Sequence, residues 1–258
     1  MMLTNSLLLI AAGLVIGFLT GLTGMGGGAL MTPFLISVMK FDPVLAVGTD
    51  LAFAAVTKIV GGIGHHRESK IPIKPVLWMA AGSIPASLLG SQFLLRQTEN
   101  SYLIDEFLPA FLGWTLVAVS LIIIARSFHV LGPKKESEVR YPSPGALMAI
   151  GALGGLLVGM TSIGGGTVIM ALLLLFFSIP LSYLVGLDVM HGALLAIISA
   201  LSYIFAGETD WHSVGLLLIG SLPGVWLGAR AIYRLNVLVV RGILGLLVLG
   251  AGLQLLLG

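Results

Sequence analysis

Asp50, Lys58 and Asp188 are the side chains best placed to do chemistry, because each stands where a charge is costly. The chain has 13 basic and 11 acidic residues, yet only these three fall well inside stretches apolar enough to cross a membrane. A charge at the centre of such a stretch costs about 2.5–3.5 kcal/mol, and more if unpaired. His191 follows Asp188 at i+3, so a helix puts both on one face. Histidine titrates near neutrality. Asp50, Asp188 and His191 are therefore the candidates for coupling a proton, and Lys58 offers a mobile positive charge to an anion path. The structural alternative has the acids capping broken helices or bonding Thr49 and nearby backbone, with Lys58 snorkelling toward a membrane face near His65. No HExxH, paired-carboxylate or Ser–His arrangement is legible, so no catalytic residue and no enzyme is expected. The chain lacks cysteine, which excludes thiolate metal sites and disulfides. His65 and His66 stand beside Arg67 and read as topology determinants, not metal ligands. Neither a metal nor a cofactor is expected.

A second kind of chemistry lies in the backbone. GLTGMGGGALMTP occupies residues 21–33, and GMTSIGGG occupies 159–166. Glycine in a helix interior costs about 0.5–1 kcal/mol relative to alanine. A chain that leaves the helix within lipid must be buried in protein or line a wet cavity. Each cluster precedes a short apolar stretch, so Gly26, Gly27 and Gly28, and Gly164, Gly165 and Gly166, are read as helix N-termini with free N–H groups. Such an end carries about half an elementary positive charge and favours anions. Gly24 completes the first cluster. Thr20, Thr23, Thr32, Thr161, Ser162 and Thr167 lie alongside and could add hydroxyl donors. The competing reading is packing. It suits the ladders Gly13, Gly17, Gly21 and Gly151, Gly155, Gly159, which bring membrane helices together. It suits three adjacent glycines less well, because they point all round a helix. A P-loop is excluded, since no Lys-Ser/Thr follows.

The elements that must hold these groups follow from composition and repetition. The chain of 258 residues is 57% hydrophobic and 9% charged, with a mean hydropathy of +1.08. A soluble domain carries about 25% charged residues, so an all-α polytopic membrane protein is expected. The net charge of +2 implies no nucleic-acid partner. The N-terminal stretch lacks a basic n-region and reads as a first membrane segment, not a cleaved signal. An offset of 138 maps Gly21–Gly28 onto Gly159–Gly166, Val47–Leu51 onto Val185–Val189, and Gly82–Gly90 onto Gly220–Gly228. Two homologous halves are expected, 1–125 and 144–258, joined by a linker over 126–143. Each holds about five helical segments. Full spans are predicted near 43–64, 75–95 and 107–126, and near 181–206, 213–233 and 236–257. The stretches Ala29–Met39 and Thr167–Ile179 are too short to cross and read as half-helices or re-entrant limbs. Loop 65–74 and the linker are basic, hence cytoplasmic, whereas the counterpart loop 207–212 has two acids and no Lys or Arg. Equivalent loops then lie on opposite faces. That makes the halves inverted-topology repeats, with broken or re-entrant segments at the glycine motifs and both termini outside.

These residues resemble a known family. The paired glycine motifs, the stretch AVGTDLAFAAVTKIVGGIGHH and the blocks GSIPASLLGS and GSLPGVWLGAR look like the TauE/SafE sulfite-exporter-like permeases, across nearly the whole chain. The resemblance implies a bacterial-type inner-membrane carrier for sulfur-containing anions such as sulfite or organosulfonates, driven by an ion gradient. Its glycine motifs fall on Gly24–Gly28 and Gly164–Gly166. Its GTD…TK pattern falls on Gly48, Thr49, Asp50, Thr57 and Lys58. The second half departs from it: VGLDVMHGALL has no Thr–Lys pair, and Ala171 stands where the first half has Pro33. The expected partners are a small anion, the lipid bilayer and a coupling proton, and a homodimer is compatible with the sequence. The expected function is secondary transport of small anions, with the halves rocking around the glycine motifs. An anion channel using the same loops, and a cation or metal transporter using Asp50 and Asp188, are the alternatives.

Overall fold

The computed structural model describes residues 2–23, 27–65, 73–98, 100, 102–127, 142–163, 166, 168–177, 181–231 and 237–257. Among them the regular structure is all helical. The helices are α1 (Met2–Thr23), α2 (Gly28–Ser37), α3 (Pro43–His65), α4 (Ile73–Leu95), α5 (Leu108–Ser127), α6 (Pro144–Thr161), α7 (Val168–Phe176), α8 (Leu181–Ala206), α9 (Trp211–Ala231) and α10 (Val237–Leu257). A π-helical turn, Tyr102–Phe107, leads into α5. Six described segments are long and apolar enough to cross a membrane. Large apolar side chains such as Leu89, Trp114, Phe205 and Leu246 face outward, as a lipid-facing belt requires.

Local signals set the ends. Ser143 caps α6 by accepting from Ala146 N, with Pro144 in the first turn. Asp42 accepts from Val44 N at the start of α3. Asp210 accepts from His212 N and from the Ser213 hydroxyl at the start of α9. Gly207, at φ 81, ends α8 in a Schellman turn closed by Glu208 N to Tyr203 O and Gly207 N to Ile204 O. The short helices α2 and α7, of 10 and 9 residues, follow the glycine motifs. Neither is long enough to cross a bilayer on its own.

The most extensive packing joins α1 with α9, α4 with α6, α5 with α10, and α3 with α8. The 138-residue offset turns the first pair into the second and each of the others into itself. Direction follows from the close contacts. Gly13, Gly17 and Gly21 meet Leu217, Ser221 and Val225 in ascending order, so α1 and α9 run parallel. Gly151, Gly155 and Gly159 meet Met79, Ser83 and Ser87, so α4 and α6 do too. Gly113 meets Gly252 while Gly245 meets Ile124, so α5 and α10 run antiparallel. Gly48 near the start of α3 meets Tyr203 and Glu208 at the end of α8, so these are also antiparallel. Helices equivalent in sequence thus point in opposite directions. An axis along the membrane normal would leave them parallel; one in the membrane plane reverses them.

The glycine ladders are where helices touch backbone to backbone. A Cβ on Gly155 would collide with the Ser83 carbonyl, and one on Gly17 with the Ser221 backbone. Both contacts join opposite halves of the chain, so the halves interleave. Gly155→Leu is expected to lower the melting temperature in detergent by the equivalent of about 1–3 kcal/mol or to prevent folding, because backbone cannot yield to a side chain. Gly215→Ala meets nothing within 4 Å and is expected to be neutral or stabilising by about 0.5–1 kcal/mol. Thermal unfolding of the two purified variants checks both.

Candidate functional site

The site is built around the two places where a helix stops. α1 ends at Thr23 and α2 begins at Gly28, with Gly27 as its N-cap. Leu30 N and Met31 N both bond to the Gly27 carbonyl, at 2.9 and 3.0 Å. α6 ends at Thr161, and Ser162 caps it in a left-handed conformation at φ 59. The breaks are separated in sequence yet meet in space. A side chain on Gly28 would lie 2.7 Å from the Ser162 carbonyl oxygen, 3.3 Å from Ser162 Oγ and 3.3 Å from Asp50 Oδ2. Glycine is required there because three elements converge on one backbone position. Gly166 is buried on the other side of the second break. Gly24, Gly26, Gly164, Gly165 and Thr167, also expected in the site, lie outside the described residues, as does the Thr23 side chain.

Hydroxyls beside the breaks divide into two sets. Thr20 donates to Ile16 O at 2.8 Å, and Thr161 donates to Leu157 O at 2.6 Å. Thr20 serves its own helix, and Thr161 also accepts from Ile163 N, past the end of α6, at 3.1 Å. Ser162 Oγ is buried and has no hydrogen-bond partner. Thr32, one turn into α2, donates to Asp50 Oδ2 at 2.5 Å. Asp50 on α3 is fully buried, and its Oδ1 has no partner.

The second half arranges its polar groups differently. Asp188 on α8 is 1% exposed, and neither carboxylate oxygen has a hydrogen-bond partner. The reason is a substitution between repeats: the position equivalent to Thr32 is Met170. His191, one turn beyond Asp188, shares a 2.7 Å hydrogen bond through Nε2 with Ser83 Oγ of α4, while its Nδ1 has no partner. The repeat equivalents of that pair are Phe53 and Ser221. Phenylalanine cannot bond, and Ser221 Oγ is correspondingly unpartnered. Tyr203 on α8 donates 2.5 Å to the Gly159 carbonyl, fixing α8 to the last turn of α6.

Lys58 lies on α3, eight residues beyond Asp50. It is buried, at 9% exposure, and feels the charge of Asp188 most strongly and that of Asp50 next. Ala54 and Ala55 of α3 pack with Ala196 of α8 close by. Small side chains at that crossing bring the helices together. Gly48, two residues from Asp50, packs against Tyr203, which is about 22 Å along α8 from Asp188, so the structure does not gather Asp50 and Asp188 into one carboxylate pair. Among the described residues no group of three or more His, Asp or Glu side chains is placed to hold a metal ion. Outside the spans, Glu208 is held above the ordinary carboxylate range, by partial burial first and then by the Asp42 charge.

Sequence reasoning named Asp50, Lys58, Asp188 and His191 but missed Ser83 and Tyr203. A signal for Ser83 was present: the block holding it recurs around Ser221 in the second half, a serine kept at one place in two apolar spans. Tyr203 left no comparable trace, because its repeat equivalent is His65.

An all-α polytopic membrane protein with two broken helices meeting beside buried acids and a buried lysine is the class this geometry defines. The family model for the sulfite exporter TauE/SafE matches residues 9–255. The chain belongs to the sulfite exporter TauE/SafE family, and is a membrane transporter. It is 35% identical over 254 residues to the probable membrane transporter protein YjnA of Bacillus subtilis (strain 168), covering 97% of this chain and 100% of that one. It is 23% identical over 250 residues to the probable membrane transporter protein YdhB of the same organism, with 97% and 100% covered. It is 26% identical over 230 residues to the probable membrane transporter protein MJ0441 of Methanocaldococcus jannaschii, with 85% and 82% covered. No solved structure matches it.

Thr32→Val removes the Thr32 hydroxyl that donates to the buried Asp50 carboxylate. The expected cost is about 1.5–3 kcal/mol, read as a lower melting temperature in detergent. Thr32→Ser keeps the hydroxyl and is expected to recover most of the loss.

Proposed function

We propose that this protein is a secondary transporter of small anions, specifically sulfur oxyanions such as sulfite or an organosulfonate, working by alternating access. The observation that carries the reading is the meeting of Gly28 with Ser162: two helix breaks, one from each half, converge on one buried place. A helix N-terminus there offers amides to a negative group without a guanidinium, and Lys58 adds a cation within the same core. The buried Ser162 hydroxyl lies beside the same place. The family's name supplies the sulfur chemistry.

Alternating access needs two bodies. The close glycine contacts tie α1 to α9 and α4 to α6, so these inter-half pairs move as units. The antiparallel pairs α3–α8 and α5–α10 form the seams between them. The protein sits in a bacterial-type inner membrane, with loop 65–74 and the linker 126–143 in the cytoplasm and both termini outside. Because the chain has no cysteine, single cysteines placed at Glu208 and at Lys134 are expected to react with a membrane-impermeant maleimide on intact cells at Glu208 only; the reverse pattern would invert the topology.

Radiolabelled sulfite flux into proteoliposomes tests the function. Saturable uptake that an internal pool of unlabelled sulfite accelerates is expected of a carrier. Flux that never saturates and shows no counterflow would indicate a channel. Movement of a cation with no anion flux would overturn the substrate class. Gly28→Leu is expected to lower anion flux about 100-fold through misplacement at the site, while Gly145→Ala, with nothing within 4 Å, is expected to leave it unchanged.

A further inference from the structure

The two repeats carry the same aspartate in unlike surroundings. Asp50 is fastened. Its Oδ2 accepts the Thr32 hydroxyl at 2.5 Å, and the start of α2 and the end of α6 close over it at Gly28 and Ser162. Asp188 is equally buried, but both oxygens are without a hydrogen-bond partner. Thr32 and Met170 are the cause, occupying equivalent positions on α2 and α7. A carboxylate held this deep and this bare is stable only with a cation near it or a proton on it.

We propose that Asp188 carries the coupling proton of this transporter, with Lys58 as its counter-charge, and that Asp50 is a fixed anchor holding α2 to α3. This rests on the anion-transport reading above and names the ion coupled at its site. The charge count supports it. Asp50, Asp188 and Lys58 sum to −1 when all are ionised and His191 is neutral. A monoanion entering beside that core would raise the buried charge to −2. A proton on Asp188 brings the empty core to zero and the loaded core to −1, so anion and proton occupy the protein together and travel in one direction.

The groups facing Asp188 are few. From α3 comes Lys58; the side chain of His65, the last residue of α3, lies outside the described residues. From its own helix comes His191, one turn on, whose Nε2 shares a hydrogen bond with Ser83 Oγ. α6 and α7 bring no titratable residue in their described lengths, and α4 brings only Lys74 in its first turn. Lys58 cannot be the carrier in both halves, because its equivalent is Ala196.

Two measurements test this. In proteoliposomes with one pH unit imposed, wild type is expected to accumulate sulfite up to about tenfold, the limit for one proton per monoanion. Asp188→Asn is expected to fall to simple equilibration under the same gradient while keeping anion counterflow. Asp188→Glu, which keeps the carboxyl group, is expected to restore accumulation. Asp50→Asn is expected to lose thermal stability and counterflow together. Accumulation that survives in Asp188→Asn, or that follows an imposed sodium gradient in place of the pH gradient, overturns the proposal. So does an Asp50→Asn variant that loses accumulation alone. The second measurement needs no substrate: infrared titration of the purified protein is expected to show a protonated-carboxyl band lost in Asp188→Asn and kept in Asp50→Asn. If that band behaves so but no anion moves, the transport reading fails while the proton site stands. If anions move and the band is absent from wild type, the proton site fails while the transport reading stands.

Discussion

A helix that stops within packed protein must find partners there for its free backbone groups. This constraint governs how the rest of the molecule is arranged. Two helices stop here, at Thr23 and Thr161, and each break lies against the other half of the chain. Their ends are enclosed by α3 and α8, the helices that carry the buried acids. Thr32 turns toward Asp50 and Tyr203 toward Gly159, so each break is tied to one of those helices by a side-chain hydrogen bond. Breaking a helix in lipid and burying an ionisable group are each unfavourable alone. Placed together, they supply one another with partners.

Glycine performs two separate tasks in this fold. In the ladders it removes side chains so that parallel helices touch along their backbones, which ties α1 to α9 and α4 to α6 across the repeat boundary. In the GGG motifs it lets the chain leave the helix and bring another element close, as Gly28 does with Ser162 and Asp50. The first task makes the inter-half pairs stiff. The second makes a polar place within them. Tight packing around a polar break matters, because a loosely packed break would leave its amides beside apolar groups that cannot bond them.

Most of the helical layout was legible in the sequence. The expected spans over 43–64, 75–95 and 181–206 match α3, α4 and α8 within two residues at each end. The short stretches after the glycine motifs appear as α2 and α7. This worked because hydropathy and span length are dictated by the bilayer, which leaves a clear one-dimensional signal. The ladders were legible as packing for a similar reason: a spacing of four places small residues on one helix face. The hydrogen-bond pairing was not legible. Thr32 was visible as a hydroxyl near the motif, but nothing in its spacing tied it to Asp50, 18 residues away. The Ser83–His191 pair spans 108 residues, and such pairs depend on how helices rotate against each other. A hydrophobic pattern fixes that rotation poorly when all faces of a helix are apolar.

The differences between the repeats bear on mechanism more than their likeness does. Likeness in the backbone gives two related arrangements of the same fold, which is what exchanging access between two faces needs. Likeness in the polar side chains would serve a different end. If Ala196 were lysine and Met170 threonine, the two acids and two bases would cancel, and every carboxylate would have its hydroxyl. Such a core would be content when empty, with no electrostatic reason to respond to an ion. Replacing one lysine by alanine leaves an unbalanced negative charge, and replacing one threonine by methionine concentrates the unmet demand on Asp188. The losses fall at two positions of the same half while the glycine breaks remain in both. In the proposed cycle, symmetry is kept in the backbone that would move and given up in the side chains that would tell a loaded core from an empty one.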